Sequence, residues 1–295
     1  MYETLEIEVE PRGVAWLWLN RADKHNAMSG LMIAELSRAT AALAVNPQVR
    51  VVVLGGRGAS FCAGGDLGWM RAQMGADAET RAQEATGLAR MLQSLNTLPK
   101  PLIGRVHGNA FGGGVGLVSV CDVAIGTKSV LMGLTDTRLG LIPATIGPYV
   151  CARMGEARAR RVFMSGRRFG ADEAVGLGLL AKSVASALPN TVIDIASGTG
   201  SRTAAQTRLE SALDLSVEAE IAPYLSCAPA AVARAKALLR YLGPVIDEAT
   251  IQHSIAELSA CWAGTEAPEG IAAFFDKREP DWAALGWGRS QSPQN

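Results

Sequence analysis

Pro101–Leu117, PLIGRVHGNAFGGGVGL, passes from an apolar strand pattern (Pro101–Val106) through a glycine-rich turn into an apolar segment, Gly113–Cys121, with the look of a buried helix. The plan also occurs upstream. There Val49–Leu54 (VRVVVL) is a β-branched strand, Arg57–Leu67 (RGASFCAGGDL) is the turn, and Leu67–Leu95 reads as helix. Each glycine turn therefore joins a strand to a helix. Backbone N–H groups at such a turn are unpaired, and the helix dipole favours negative charge beside them. Glycine also lets a ligand approach the main chain without meeting a Cβ. Two such turns brought together could clamp one oxygen, as stabilising an enolate or a tetrahedral intermediate requires, each donor contributing ~3–4 kcal/mol to the transition state. The competing reading is that these glycines only permit tight turns and close packing.

Outward from these turns the chain keeps alternating. Glu3–Glu10 and Gly13–Leu19 (GVAWLWL) read as strands, Ser29–Val45 as a helix with Ser29 at its N-cap, and Val123–Ile125 as the start of another strand. Strands separated by helices predict crossover connections and a parallel sheet covered on both faces. From about Gly147 the pattern turns helical: Tyr149–Phe163, Ala171–Gly176, Ala230–Leu242, Val245–Trp262 and Gly270–Phe275. The expected organisation is an α/β core over residues 1–188, a Ser/Thr/Gly-rich loop insertion over 189–207, and a helical C-terminal or oligomerisation region over 208–295.

Composition narrows the function. The 295 residues carry 28 Lys+Arg against 28 Asp+Glu, so the basic footprint of a nucleic-acid binder is missing. The five cysteines are scattered and odd in number, and three histidines are too few for a His-rich centre; neither disulfide framework nor metal is expected. Nothing resembles a signal peptide or a membrane span, so a cytoplasmic location is expected. Phosphate motifs fail on detail. Leu117 misses the last position of G-x-G-x-x-G, Cys121 stands where a P-loop needs glycine, and there is no G-x-S-x-G elbow.

The sequence resembles the crotonase (enoyl-CoA hydratase/isomerase) superfamily at several separated motifs. LNRADKHNAM (Leu19–Met28) is similar to the family's N-R-P-x-x-x-N-A, with Ala22 in place of proline; FCAGGDL (Phe61–Leu67) resembles its A-G-x-D turn. AFGGGVGLVSVCDVAI (Ala110–Ile125), LGLIPATIGPY (Leu139–Tyr149) and FFDKREPDW (Phe274–Trp282) resemble its G-G-G, L-G-x-x-P and F-x-x-K-R-x-P segments. Within it, the chain looks most like the methylglutaconyl-CoA and isohexenylglutaconyl-CoA hydratase branch. The resemblance implies a ββα-spiral α/β fold with a helical C-terminal region, assembled as a homotrimer or a dimer of trimers. The substrate would be an acyl-CoA thioester, with coenzyme A arriving as part of it and no other cofactor. The oxyanion donors would be the N–H groups of Gly65 and Gly113. Lys24, His25, Ala27, Ala63, Gly64, Asp66 and Leu67 would lie at the coenzyme, and Lys277 where some relatives reach a neighbour's phosphates. Asp66 more often caps the following helix in such turns.

The acid–base pair departs from the family pattern. Two-glutamate hydratases would place the first glutamate at position 116, where this chain has Gly116, and the second at Asp136, one methylene shorter. The expectation is a hydratase working with one carboxylate, Asp136. The alternatives are a double-bond isomerase, which needs no bound water, and a non-catalytic acyl-CoA-binding paralogue.

Overall fold

The computed structural model describes residues 1–186 and 211–284. Its main sheet has the order β1–β2–β3–β4–β6–β9, formed by Leu5–Val9, Val14–Leu19, Val51–Gly56, Leu102–Val106, Val123–Thr127 and Lys182–Val184. β1 pairs antiparallel with β2, and every later pairing is parallel. A small second sheet holds β5 (Ala110–Phe111), β7 (Leu131–Gly133) and β8 (Arg168–Gly170). These strands are two or three residues long, too short to show alternation, and only the pairing reveals them.

Both faces of the main sheet are covered, as a β-branched parallel sheet requires. One face packs on α1 (Gly30–Val45) and the helices around it, through Leu17, Leu36, Leu54, Leu95 and Leu102, all fully buried. The other carries Trp16, Trp18, Val53, Ile103 and Ile125 and is closed by Leu213, Val217 and Ile221. Those three recur every fourth residue along one stripe of a C-terminal helix, Ala212–Ser226. Burying each such side chain contributes about 1.5–3 kcal/mol. An Arg105 Nε–Asp214 Oδ1 ion pair of 2.7 Å pins the same helix to β4.

Between strands run α2 (Leu67–Gly75), α3 (Ala78–Thr97), α4 (Gly113–Ser119), α5 (Gly147–Met154), α6 (Glu156–Phe163) and α7 (Ala171–Gly176). The helix closing the sheet is α8, and α9 (Pro229–Leu242), α10 (Glu248–Ala263), α11 (Glu266–Asp276) and α12 (Asp281–Ala284) follow. Ser29 caps α1 by accepting from Met32 N–H, as its position predicted. Two expected helices are each divided. Leu67–Leu95 breaks because Asp77 starts a new helix, its carboxylate accepting from Thr80 N–H at 2.8 Å. Tyr149–Phe163 breaks at Gly155, whose φ of +74° ends one helix and begins the next. The expected insertion at 189–207 lies outside the described residues. α10 returns to the core through Ile251 and Ile255, which pack on Ala85 and Ala89 of α3.

Candidate active site

Main-chain hydrogen bonds stitch four separate segments into one site. Residues 25–28 join the first glycine turn: Ala63 N–H donates to His25 O (3.0 Å), Met28 N–H to Gly64 O (2.7 Å) and Asp66 N–H to Met28 O (2.9 Å). The two glycine turns join each other, Cys62 N–H donating to Asn109 O (3.1 Å) and Phe111 N–H to Cys62 O (3.0 Å). Gly112 N–H then donates to Gly133 O (2.9 Å), drawing in the segment that leads to Asp136. At Gly64, φ is +98° and a Cβ would stand 3.0 Å from Phe111 O, so only glycine allows the turns this close.

The bridge between Met28 and Gly65 uses the N–H groups of Met28 and Asp66 and passes over that of Gly65. Gly113 is the first residue of α4, so its N–H has no acceptor one turn back within the helix. Both glycines line a cavity of about 450 Å³ together with Ala63, Gly64, Leu67 and Asp136. Six of the residues singled out from sequence thus line one cavity.

Asp136 begins a 3-10 turn, Asp136–Leu139. Its Oδ2 is buried without a hydrogen-bond partner among the described residues, and a Cβ on Gly112 would lie 3.9 Å from it. Burial pushes this carboxyl above its ordinary range. Among the described residues it is the single carboxylate in the cavity lining. At position 116 there is no room for a second. A Cβ on Gly116 would meet Ile146 Cγ2 at 2.4 Å and Ile146 Cβ at 3.0 Å, so Ile146 occupies the space a glutamate stem would need.

The remaining expected site residues lie outside the cavity lining. Asp66 caps α2, accepting from Gly68 and Trp69 N–H at 2.9 and 3.1 Å, and pairs with Arg21 Nη2 at 3.0 Å. Burial opposes its ionisation, yet the Trp69 N–H and the Arg21 guanidinium hold its carboxyl below the ordinary range. Lys24 is exposed, as is His25, whose Nδ1 lies 3.2 Å from Ser60 Oγ. Ala27 is buried and its carbonyl accepts from Arg21 Nη1 at 2.6 Å. Lys277 is exposed at the C-cap of α11, with φ +55°.

Three contributions were given no role in the sequence reading. Asn26, fully buried, donates from Nδ2 to Arg57 O and Ser60 O, both 2.8 Å, and accepts from Arg21 N–H at 2.9 Å. It fastens the Leu19–Met28 segment to the first glycine turn. Trp262 and Leu258 of α10 and Phe274 of α11 close the cavity from the C-terminal side. α11 lies directly on the turn that carries Asp136, since a Cβ on Gly270 would meet Leu139 C at 2.6 Å. Gln73 and Arg81 supply polar groups to a wall otherwise lined by Trp69, Met70, Ala85 and Leu88. Gln73 lies less than two turns along α2, which follows the first glycine turn, and Arg81 one turn along α3, which Asp77 starts.

A sheet-and-helix core with two joined strand-to-helix turns at one cavity is the crotonase fold. The chain belongs to the enoyl-CoA hydratase/isomerase family, whose model matches residues 9–284. A crystal structure of an enoyl-CoA hydratase from Shewanella pealeana is 34% identical, covering 96% of this chain and 97% of that one, with a TM-score of 0.72. Pseudomonas aeruginosa AtuE is also 34% identical, covering 95% of this chain and 100% of its own, with a TM-score of 0.71. The peroxisomal Delta(3,5)-Delta(2,4)-dienoyl-CoA isomerase of Arabidopsis thaliana is 28% identical over 96% of this chain and 98% of its own length. Relatives named for hydration and for isomerisation thus both resemble it.

Proposed function

We propose that this protein is an enoyl-CoA hydratase that works with one carboxylate, Asp136. The observation that carries the reading is the buried, unpartnered Asp136 Oδ2 beside the second glycine turn of an otherwise largely apolar cavity. The Gly65 and Gly113 N–H groups hold the thioester oxygen and take up its charge as the enolate forms. Asp136 removes a proton from water as the water oxygen bonds to the β-carbon. The same proton then passes to the α-carbon, collapsing the enolate, so the elements of one water are added. A buried carboxyl with a raised pKa suits both halves of that exchange.

Ile146 against Gly116 favours a second reading, double-bond isomerisation, because no second acid is placed to hold a water. There Asp136 would carry a proton between the α- and γ-carbons. Incubating the pure protein with 2-enoyl- and 3-enoyl-CoA thioesters and identifying products by mass separates the two. Gain of one water supports hydration, and a product of unchanged mass with a moved double bond supports isomerisation. Tight thioester binding without either product, unaffected by Asp136→Asn, would refute both and leave a binding protein.

The reading includes assembly as a homotrimer or a dimer of trimers, and methylglutaconyl-type acyl groups among the substrates to try. Exposed Leu238, Leu239, Tyr241, Leu242 and Val245, on and just beyond α9, support association. Among the described residues no helix is long and apolar enough to cross a membrane.

A further inference from the structure

Two glycines at the start of α4 have different neighbours. Gly112 lies beside Asp136, whose Oδ2 is 3.9 Å from a Cβ placed on the glycine, and Gly116 lies against Ile146. Gly116 N–H donates to Gly112 O at 3.2 Å, so the two stand one helical turn apart, about 6 Å along the axis. That separation matches the span of one bridging water, two hydrogen bonds of about 2.8 Å each. A water at Asp136 gives the carboxylate one hydrogen and needs an acceptor for the other before its lone pair has a fixed direction. The side chain of Ile146 offers none.

The residue before it does. Thr145 is only 7% exposed and lines the same cavity as Asp136. Among the described residues its hydroxyl makes no hydrogen bond, and it is not one of the sealed, unpartnered atoms, which are Trp18 Nε1, His107 Nδ1 and Asp136 Oδ2. Thr145 Oγ1 is therefore accessible, in a residue whose surroundings are the cavity. Other threonines of the chain spend their hydroxyls on the helix carbonyl four residues back, as Thr40 does on Leu36 O and Thr86 on Ala82 O. Thr145 precedes α5 and has no such carbonyl. Its base is firm: Ala144 N–H donates to Ile142 O at 2.8 Å, Gly147 N–H donates to Ala144 O at 3.0 Å, and a β-branched side chain is stiff at χ1. Thr135 also lines the cavity, but it adjoins Asp136 in the chain, on the carboxylate's own side of the gap.

We propose that Thr145 is a catalytic residue of the hydration step, its hydroxyl oxygen holding the water that Asp136 activates in place of the acid that Gly116 lacks. This rests on the hydratase reading and adds what fixes the water. The water donates one hydrogen to Asp136 and the other to Thr145 Oγ1, leaving an oxygen lone pair for the β-carbon. As the carbon–oxygen bond forms, the α,β π pair moves onto the thioester as the enolate, and the proton taken by Asp136 passes to the α-carbon. Thr145 neither gains nor loses a proton, so a single ionisable group serves the whole exchange.

The test uses the full chain as Thr145→Val, which keeps the branched shape and removes the hydroxyl, and as Thr145→Ser, which keeps the hydroxyl. Water addition to 2-butenoyl-, 2-hexenoyl- and 2-octenoyl-CoA is measured beside deuterium exchange at the α-carbon of the matching saturated thioesters in heavy water. Exchange uses the glycine clamp and Asp136 but no attacking water. For Thr145→Val, kcat for hydration should fall about tenfold to a hundredfold, the cost of a misplaced reactant. KM, α-carbon exchange and Tm should stay close to the parent's, and Thr145→Ser should keep most of kcat. Hydration by Thr145→Val at the parent rate would overturn the proposal. So would α-carbon exchange falling in step with hydration, because Thr145 would then support the clamp or Asp136 and not the water. A parent protein that exchanges α-hydrogens yet adds water to none of these thioesters refutes the hydratase reading, and this assignment with it. A parent that hydrates equally well with and without the Thr145 hydroxyl sinks this assignment alone.

Discussion

Replacing Gly116 by alanine probes whether Ile146 has taken the place of an acid or merely lies near it. The new Cβ would stand 2.4 Å from Ile146 Cγ2 and 3.0 Å from Ile146 Cβ. Both atoms sit at the base of a β-branched side chain, which is stiff at χ1 and buried to 3% exposure, so it cannot swing aside. Overpacking of this kind costs about 1–3 kcal/mol. Alanine gains back roughly 1 kcal/mol over glycine inside a helix. A contact as short as 2.4 Å belongs in the upper part of the overpacking range, about 2–3 kcal/mol, so the net loss is about 1–2 kcal/mol, or a fall in Tm of roughly 2–8 °C for a chain of this size. Ile146→Ala alone should cost ~2–5 kcal/mol through the cavity it leaves. In the double variant the added methyl refills part of that cavity, so the two losses should fall short of additivity by ~1 kcal/mol or more. Thermal unfolding of all four proteins at one protomer concentration measures this directly. A Gly116→Ala protein as stable as the parent, or additive losses, would refute the claim that these two residues fill one space. The catalytic corollary is that Gly116→Glu alone gains no second acid, because its stem has nowhere to go until Ile146 is also reduced.

Four further outcomes follow from the geometry. Burial raises the Asp136 carboxyl, so ionising it costs more in the folded chain than in the unfolded one; stability should fall as pH rises from the ordinary carboxylate range through the raised value. Asp136→Asn, which cannot ionise, should therefore gain on the parent across that window and lose the advantage in acid, with turnover down by about a hundredfold or more, read by Tm against pH and by initial rates. Asn26→Ala leaves the Arg57 and Ser60 carbonyls without their donor and should lower stability by about 1–3 kcal/mol in urea unfolding. Burial pushes the Cys62 and Cys121 thiols up to about 12, so neither should react with a thiol reagent at neutral pH until the chain unfolds, as peptide mass mapping would show. Leu239→Asp with Leu242→Asp should reduce the assembly seen by light scattering, and an unchanged mass would exclude this face of α9 from the contact.

The sheet was legible because its strands are long or strongly β-branched; Val51–Gly56 declares itself, whereas Leu131–Gly133 and Arg168–Gly170 are defined only by their pairing within the small sheet. Helix content was legible, but breaks at Asp77 and Gly155 depend on one carboxylate and one positive φ that periodicity does not register. At the site, the glycine turns could be located because their meaning is local: strand, unpaired N–H groups, helix. Cavity walls could not. Gln73, Arg81, Trp262 and Phe274 come from helices whose mutual packing sets which face points inward, and nothing in their own segments distinguishes them from solvent-facing neighbours. Gly116 shows the same limit from the other side. Its identity was plain, but that Ile146, thirty residues on, fills its space was not.

That filling bears on whether the site is a catalytic one reduced or one abandoned. Loss of a glutamate with no further change would leave a void beside Gly116, and voids cost stability in proportion to their volume. Here the volume is occupied by a well-packed isoleucine, so the site has settled around a single acid. A protein kept only for binding would have every physical reason to settle Asp136 as well. A buried carboxylate oxygen without a partner is a standing penalty that one asparagine, one nearby donor or one apolar replacement would relieve. Asp136 instead stays buried and unrelieved beside the second of two glycine turns that backbone hydrogen bonds hold together. Stability given up at one titratable group next to such a clamp is the pattern expected where that group moves a proton, and it weighs against the non-catalytic reading more heavily than any likeness of sequence.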